Sequence, residues 1–248
     1  MPDWLTGELS GDILGGVALT IGLTLLTSCT SFAVGLAAAI GRRSRRLWAR
    51  RMAGVFVETF RNVPALILLI FFAFAVPNVF PANLRKTLFF DNPVVDLIGT
   101  ITTLPLPYYG IAAVLALTVN TGAHLAEILR SGLDAVPQDR IDAARSLGAT
   151  ARSAYFTVTI PDGVRISFGG VINRLVHNLK NTALVSFVAV PDAFSRIQGA
   201  ITKTFEATEL LVFAAVLYLA LATLLEFGLR RLQVALWRGR PIDRVADV

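Results

Sequence analysis

The groups that could do chemistry in this chain are few, and they lie in apolar surroundings. Glu127 follows His124 by one helical turn, so the two share a face. Arg174, His177 and Lys180 occur together with Asn173, Asn178 and Asn181, and Arg174, Asn178 and Asn181 fall on one helical face at i, i+4 and i+7. In Arg61-Asn62-Val63-Pro64, the proline cannot donate a backbone hydrogen bond and pushes Val63 out of helical geometry, which predicts a broken helix. Thr182 and Ser186 add hydroxyls. These types suit binding and charge compensation rather than bond breaking. A buried carboxylate such as Glu127 can hold an ammonium or guanidinium group, Lys180 can meet a carboxylate, and a broken helix offers backbone groups to a small polar molecule. Plainer roles stand beside these: Glu127 paired with an arginine such as Arg174 or interfacial just below the bilayer, Arg61 capping or paired with Glu58 at i−3, His177 as a hydrogen-bonded structural residue, Thr182 and Ser186 bonded locally or between helices. Two histidines and one cysteine, far apart in sequence, argue against a metal site. The sequence has no His-Glu-x-x-His and no Gly-x-x-x-x-Gly-Lys-[Ser/Thr] phosphate loop.

The elements that must carry these residues are membrane spans. Of 248 residues, 54% are apolar and only 16% charged, with a mean hydropathy of +0.64; a soluble domain carries about 25% charged residues. Runs of 29, 23 and 30 residues without a charge separate Asp12 from Arg42, Arg61 from Arg85, and Asp96 from Glu127. About 20 apolar helical residues cross a bilayer, so a soluble enzyme, a secreted disulfide scaffold and a disordered chain are excluded. The reading is an all-α membrane protein with about five transmembrane helices, at about 13–41, 53–76, 107–129, 164–190 and 208–230. The acidic start (Asp3, Glu8, Asp12) is the reverse of a signal peptide's basic n-region, so the first span is read as retained. Sixteen of the 23 Lys and Arg residues fall in 42–51, 130–165 and the C-terminal stretch from Arg230 to Arg244. Positive-inside then predicts the N-terminus outside and the C-terminus in the cytoplasm. The net charge of +6 records topology in a lipid bilayer rather than a nucleic-acid partner. The proline-rich, apolar stretch 77–106 is expected to pack on the membrane surface or re-enter. The hydroxyl face of the first span (Thr20, Thr24, Thr27, Thr30, Ser31) is expected to meet a neighbouring helix.

The most polar long connection, 130–165, has a pattern of its own. Pro137 suits the first turn of a helix, Ile141, Ala144 and Leu147 recur at helical spacing, and Gly148 ends the pattern. A second short helix is expected at about 150–158, stopping before Pro161. Two such helices are too short to be stable alone, so they need a partner on the cytoplasmic side.

Here the residues carry a resemblance. Asp142-Ala143-Ala144, then Gly148, then Ile160-Pro161 resembles the Glu-Ala-Ala loop of ATP-binding-cassette importer permeases. His124 to Gly132 resembles the Ala-Glu-Ile-x-Arg-Gly-Gly stretch of the polar amino acid permeases, Arg61 to Pro64 their Arg-Gly-Thr-Pro, and Lys180 to Ser186 their Lys-Asp-Thr-Ser-Leu-x-Ser. Departures are Asp139-Arg140 in place of Gly-Gln and Asp142 in place of Glu, which suggests one half of a heterodimer.

The resemblance implies a type I importer permease fold: a single permease domain over 1–248, with 130–165 as a two-helix cytoplasmic coupling loop within it. It implies an ATP-driven importer in the inner membrane of a prokaryote, with an external solute-binding protein, a second permease and cytoplasmic ATP-binding subunits as partners. ATP and magnesium would be held by the partner ATPase and no cofactor by this chain, which would not itself be an enzyme. The solute would be a polar amino acid, moved by alternating access. The implied substrate path is Arg61, Asn62, Glu127, Arg174, Lys180 and Thr182. The implied ATPase-coupling residues are Asp142, Ala143, Ala144, Leu147, Gly148, Ile160 and Pro161. A stand-alone ion-coupled transporter or channel is the alternative.

Overall fold

The computed structural model describes residues 8–102 and 107–237. The acidic Asp3, Pro105 and the basic residues Arg238, Arg240 and Arg244 lie outside the described residues. Helices run in the order α1 (Glu8–Arg42), α2 (Leu47–Asn62), α3 (Ala65–Ile70), α4 (Val76–Asn78), α5 (Ala82–Phe89), α6 (Pro93–Thr102), α7 (Pro107–Asp134), α8 (Gln138–Ser146), α9 (Ala151–Ala154), α10 (Ile160–Thr182), α11 (Ala193–Thr204) and α12 (Ala207–Trp237). No strand occurs among the described residues.

Among the described residues, Ser10–Arg42, Pro107–Asp134 and Ala207–Trp237 are each long and apolar enough to cross a membrane, and Leu47–Asn62 with Ala65–Asn78 qualifies as a pair bent by 107°. The bend falls at Val63-Pro64, where Val63 is extended (φ −96°, ψ 129°), as the sequence predicts. The remaining predicted span corresponds to α10 and the 3₁₀ turn Ala183–Val188. It is too polar to qualify by composition, because Arg165, Arg174 and Lys180 lie along it. Its position explains why that is tolerated: it packs on α7, α12 and α1 rather than on lipid alone.

α7 is the central helix. Small residues along it (Gly110, Ala112, Ala116, Gly122, Ala126) are buried and let α1 and α10 approach closely. The hydroxyl face of α1 meets it as expected. Thr30 and Thr118 share a 2.7 Å hydrogen bond, and Thr27 accepts one of 2.8 Å from Asn178 of α10. Asp192 caps α11 by accepting from the Ser195 N–H at 2.9 Å and also accepts from the Tyr218 hydroxyl at 3.0 Å, tying α11 to α12. α12 exposes Leu211, Val212, Val216, Leu219, Leu224 and Phe227, an apolar surface along a helix long enough to cross a membrane. In the proline-rich stretch, Phe89 and Phe90 pack edge-on against Tyr108, closing one end of the bundle with aromatic rings.

One expectation is corrected. The helix after Gly148 does not stop before Pro161. It runs from α9 through a π-type turn (Tyr155–Thr159) straight into α10. The Ile160 N–H reaches back five residues to Tyr155 O. The wider turn shifts the register ahead of the proline, which has no N–H and whose ring would collide with the carbonyl four residues back. The same device precedes Pro77, where the turn Phe71–Ala75 ends with the Val76 N–H on Phe71 O.

Candidate functional site

The break at Pro64 opens a pocket. Its volume is about 410 Å³, and its walls include Arg61, Asn62, Asn120, His124, Arg174 and His177. Asn120 lies midway along α7, about 20 Å from either end at 1.5 Å per residue. The pocket is therefore at the depth of the middle of the bundle.

Asn120 organises the site. Its amide nitrogen donates to Phe60 O and Val63 O, each at 3.2 Å, which satisfies carbonyls freed by the break. Its amide oxygen accepts from an Arg174 Nη at 2.7 Å. The same Arg174 nitrogen lies 3.4 Å from Thr121 Oγ1. One asparagine thus ties the broken span to the arginine of α10. His124 Nδ1 is 3.0 Å from Asn120 O, and a carbonyl only accepts, so Nδ1 carries the proton and Nε2 is free to accept. Arg61 donates to Glu58 at 3.3 Å, the i−3 pairing that the sequence allows.

Of the sequence-predicted path residues, the pocket gathers Arg61, Asn62 and Arg174. Glu127, Lys180 and Thr182 are not among its lining residues. Glu127 is turned toward the arginine-rich end of the bundle, where it pairs with Arg42 of α1 and lies 3.1 Å from Arg130. Asp134 extends this cluster, 2.8 Å from Arg130 and 2.5 Å from Arg43. The pairing with Arg174 considered from the sequence does not form, since Arg174 is held by Asn120. Lys180 is exposed, one turn along α10 from His177. Thr182 is buried and donates to Leu179 O at 2.7 Å, the local bond of a hydroxyl in a span. Asn178 meets Thr121 as Arg174 does, in keeping with a shared face, but it does not line the pocket and bridges Thr27 and Thr121 between α1 and α7. Sequence reasoning missed Asn120, whose one signal was being an amide in the middle of a charge-free run.

The second candidate surface is the α8–α9 knob. α8 begins after Pro137 and buries no residue. At its end the Gly148 N–H bonds Arg145 O at 3.0 Å and the Ala149 N–H bonds Ala144 O at 3.1 Å, a Schellman cap. Gly148 has φ +90°, a conformation that glycine adopts without steric cost. Leu147 is consequently held out from the bundle, 90% exposed. Asp142, Ala143 and Gly148 are exposed beside it, while Ala144 and Ile160 are half-buried and Pro161 is exposed at the start of α10. The Asp142 carboxylate accepts from Gln138 at 3.1 Å, which keeps it on the helix surface. Arg140, one of the departures from the family pattern, reaches Asp162 at 2.9 Å and braces α8 against α10. Among the described residues, no group of three or more His, Cys, Asp or Glu is placed to hold a metal ion.

Comparison with known proteins gives a consistent picture. A family model described as "Binding-protein-dependent transport system inner membrane component" matches residues 31–238. The chain is similar to the probable glutamine ABC transporter permease protein GlnP of Bacillus subtilis (strain 168), 27% identical over 222 residues, which is 88% of this chain and 91% of that protein. It is also similar to the L-cystine transport system permease protein TcyL of the same organism, 25% identical over 91% of this chain and 87% of that one. A crystal structure of an amino acid ABC transporter with histidines has the same fold, with a TM-score of 0.72 at 24% identity, covering 91% of this chain and 94% of the other.

Proposed function

The chain belongs to the family of binding-protein-dependent transport system inner membrane components, and from that premise we propose that it is the translocating subunit of an ATP-driven importer for a polar amino acid. It pairs with a second permease around the solute path, and an external binding protein delivers the solute. The arginine-rich end faces the cytoplasm. ATP and magnesium are held by separate cytoplasmic subunits, because this sequence carries no phosphate loop. The membrane is the inner membrane of a prokaryote.

The observation that carries this reading is the knob. A loop bordering a membrane bundle has no structural need to project a leucine into solvent from a rigidly capped helix. Within 130–165, Asp142, Ala143, Ala144, Leu147 and Gly148 form a small apolar-and-acidic surface that a cleft of an ATPase subunit can receive. Its brace, the Arg140–Asp162 pair, and the continuous helix through Ile160-Pro161 pass any push on the knob directly into α10. Because α10 carries Arg174, movement of the ATPases is delivered to the wall of the pocket, which is what alternating access requires.

Leu147→Asp tests it. The residue touches little of its own chain, so the variant should fold and purify as the wild type does. It should lose its co-purifying ATPase, with affinity falling about tenfold or more as for a central interface anchor. Unchanged assembly and unchanged ATP-driven uptake would sink the docking assignment.

A further inference from the structure

The pocket at the broken span is one-signed. Arg61 and Arg174 contribute two fixed positive charges, and no carboxylate lines it. Glu58 stands outside the lining and neutralises Arg61 at most, at 3.3 Å. Glu127 is committed to Arg42 and Arg130. Arg174 meets only neutral partners, Asn120 and Thr121. Its Nε is shielded from solvent and has no hydrogen-bond partner among the described residues. A guanidinium at membrane depth ordinarily finds a carboxylate. Here the protein supplies none, and Arg174 is one of the residues lining an open cavity of about 410 Å³.

The polar atoms around that cavity sort the same way. Asn120 has spent its oxygen on Arg174 and its nitrogen on the carbonyls of Phe60 and Val63. What remains for a solute is charged donors from two arginines and neutral acceptors such as His124 Nε2. A solute ammonium would therefore meet Arg174 with no carboxylate beside it, Arg61 alone being offset by Glu58, whereas a solute carboxylate would complete Arg174. If the second permease were a copy of this one, two-fold symmetry would repeat the same charges across the path.

We propose that this pocket selects a solute of net negative charge, namely an amino acid carrying a second carboxylate, and that Arg174 binds a carboxylate of it during passage. The inference rests on the reading of the chain as an amino acid permease and adds the charge class of the solute.

The test uses the whole complex, with its ATPase, second permease and binding protein, in proteoliposomes. ATP-driven uptake is measured for labelled L-glutamate, L-glutamine and L-arginine. Glutamate should be the preferred solute. Arg174→Gln should lower the apparent affinity for glutamate about 30-fold, as expected for removing one partner of a desolvated charge pair. Arg174→Lys should restore part of it, and both variants should still co-purify with the ATPase. Preference for glutamine or arginine, or glutamate uptake untouched in Arg174→Gln, overturns the charge assignment while leaving the importer reading intact. Absence of ATP-driven uptake of any amino acid by the wild type would instead remove the importer reading beneath it.

Discussion

The knob and the pocket are built in opposite ways. The knob is made by neighbours in sequence: Pro137 starts α8, Gly148 ends it, Thr150 caps α9, and one ion pair to Asp162 braces the whole. Its surface faces outward and is unoccupied within the chain. The pocket is made by residues drawn from 61–66, 120–124 and 174–184, three stretches of chain that only tertiary packing brings together. Asn120 and Arg174 hold each other there across 54 residues, while Arg61, Asn62 and His124 bond within a turn of their own helices. A change in the knob should therefore act locally and spare the fold, whereas loss of Asn120, which ties the pocket's elements together, should disturb folding and transport at once.

The strongest way to break that contrast is at the point where the two regions join. Gly132 of α7 and Gly163 of α10 cross so closely that a Cβ on Gly132 would lie 2.3 Å from Gly163 O and 2.6 Å from Ser167 Cβ. No side chain can yield there, because the first obstacle is backbone. Gly132→Val should cost about 3 kcal/mol or more, the upper range for overpacking. It should remove the monodisperse peak in detergent size-exclusion chromatography. A variant with wild-type thermal stability would mean that α7 and α10 are not locked at this crossing.

Asn120→Ala sharpens the pocket side of the contrast. It removes the acceptor for Arg174 and the donor for two freed carbonyls in one step. Interhelical hydrogen bonds in membranes are individually modest, so the summed loss should be about 2 kcal/mol. Thermal stability in detergent and uptake should fall together. If uptake fell with stability unchanged, Asn120 would be a solute contact rather than the organiser of the site.

How much of this was legible follows the same division. Pro64, Pro137 and Gly148 act on their own backbone, so the break and the two ends of the knob could be read from residue type alone. Pro161 could not, because a proline reads as a stop, and only the structure shows a π turn making room for it. Glu127 was placed with His124 by helical spacing. Helical spacing fixes a sector, however, and the side chain went to Arg42, 85 residues away. Asn178 meets Thr121 beside Arg174, but its amide nitrogen is drawn to Thr27 across 151 residues, which keeps it out of the pocket. A periodicity argument locates a face, while the choice among partners on that face is tertiary.

The smallest effect expected on stability is also the most discriminating for the knob. A Cβ added to Gly148 meets no atom within 4 Å, so space is not what glycine provides. What it provides is φ +90°. Gly148→Ala and Gly148→Val both strain that angle, by about 1–2 kcal/mol for the left-handed region, and the β-branched valine more than alanine. An exposed turn can relieve such strain by moving, and moving it displaces Leu147 from its projecting position. The global melting temperature should therefore shift little in either variant, while solute-stimulated ATPase activity of the assembled complex should fall in the order wild type, alanine, valine. Equal activity in all three would show that the partner does not need the left-handed turn. A large drop in melting temperature would show that the knob is part of the bundle after all.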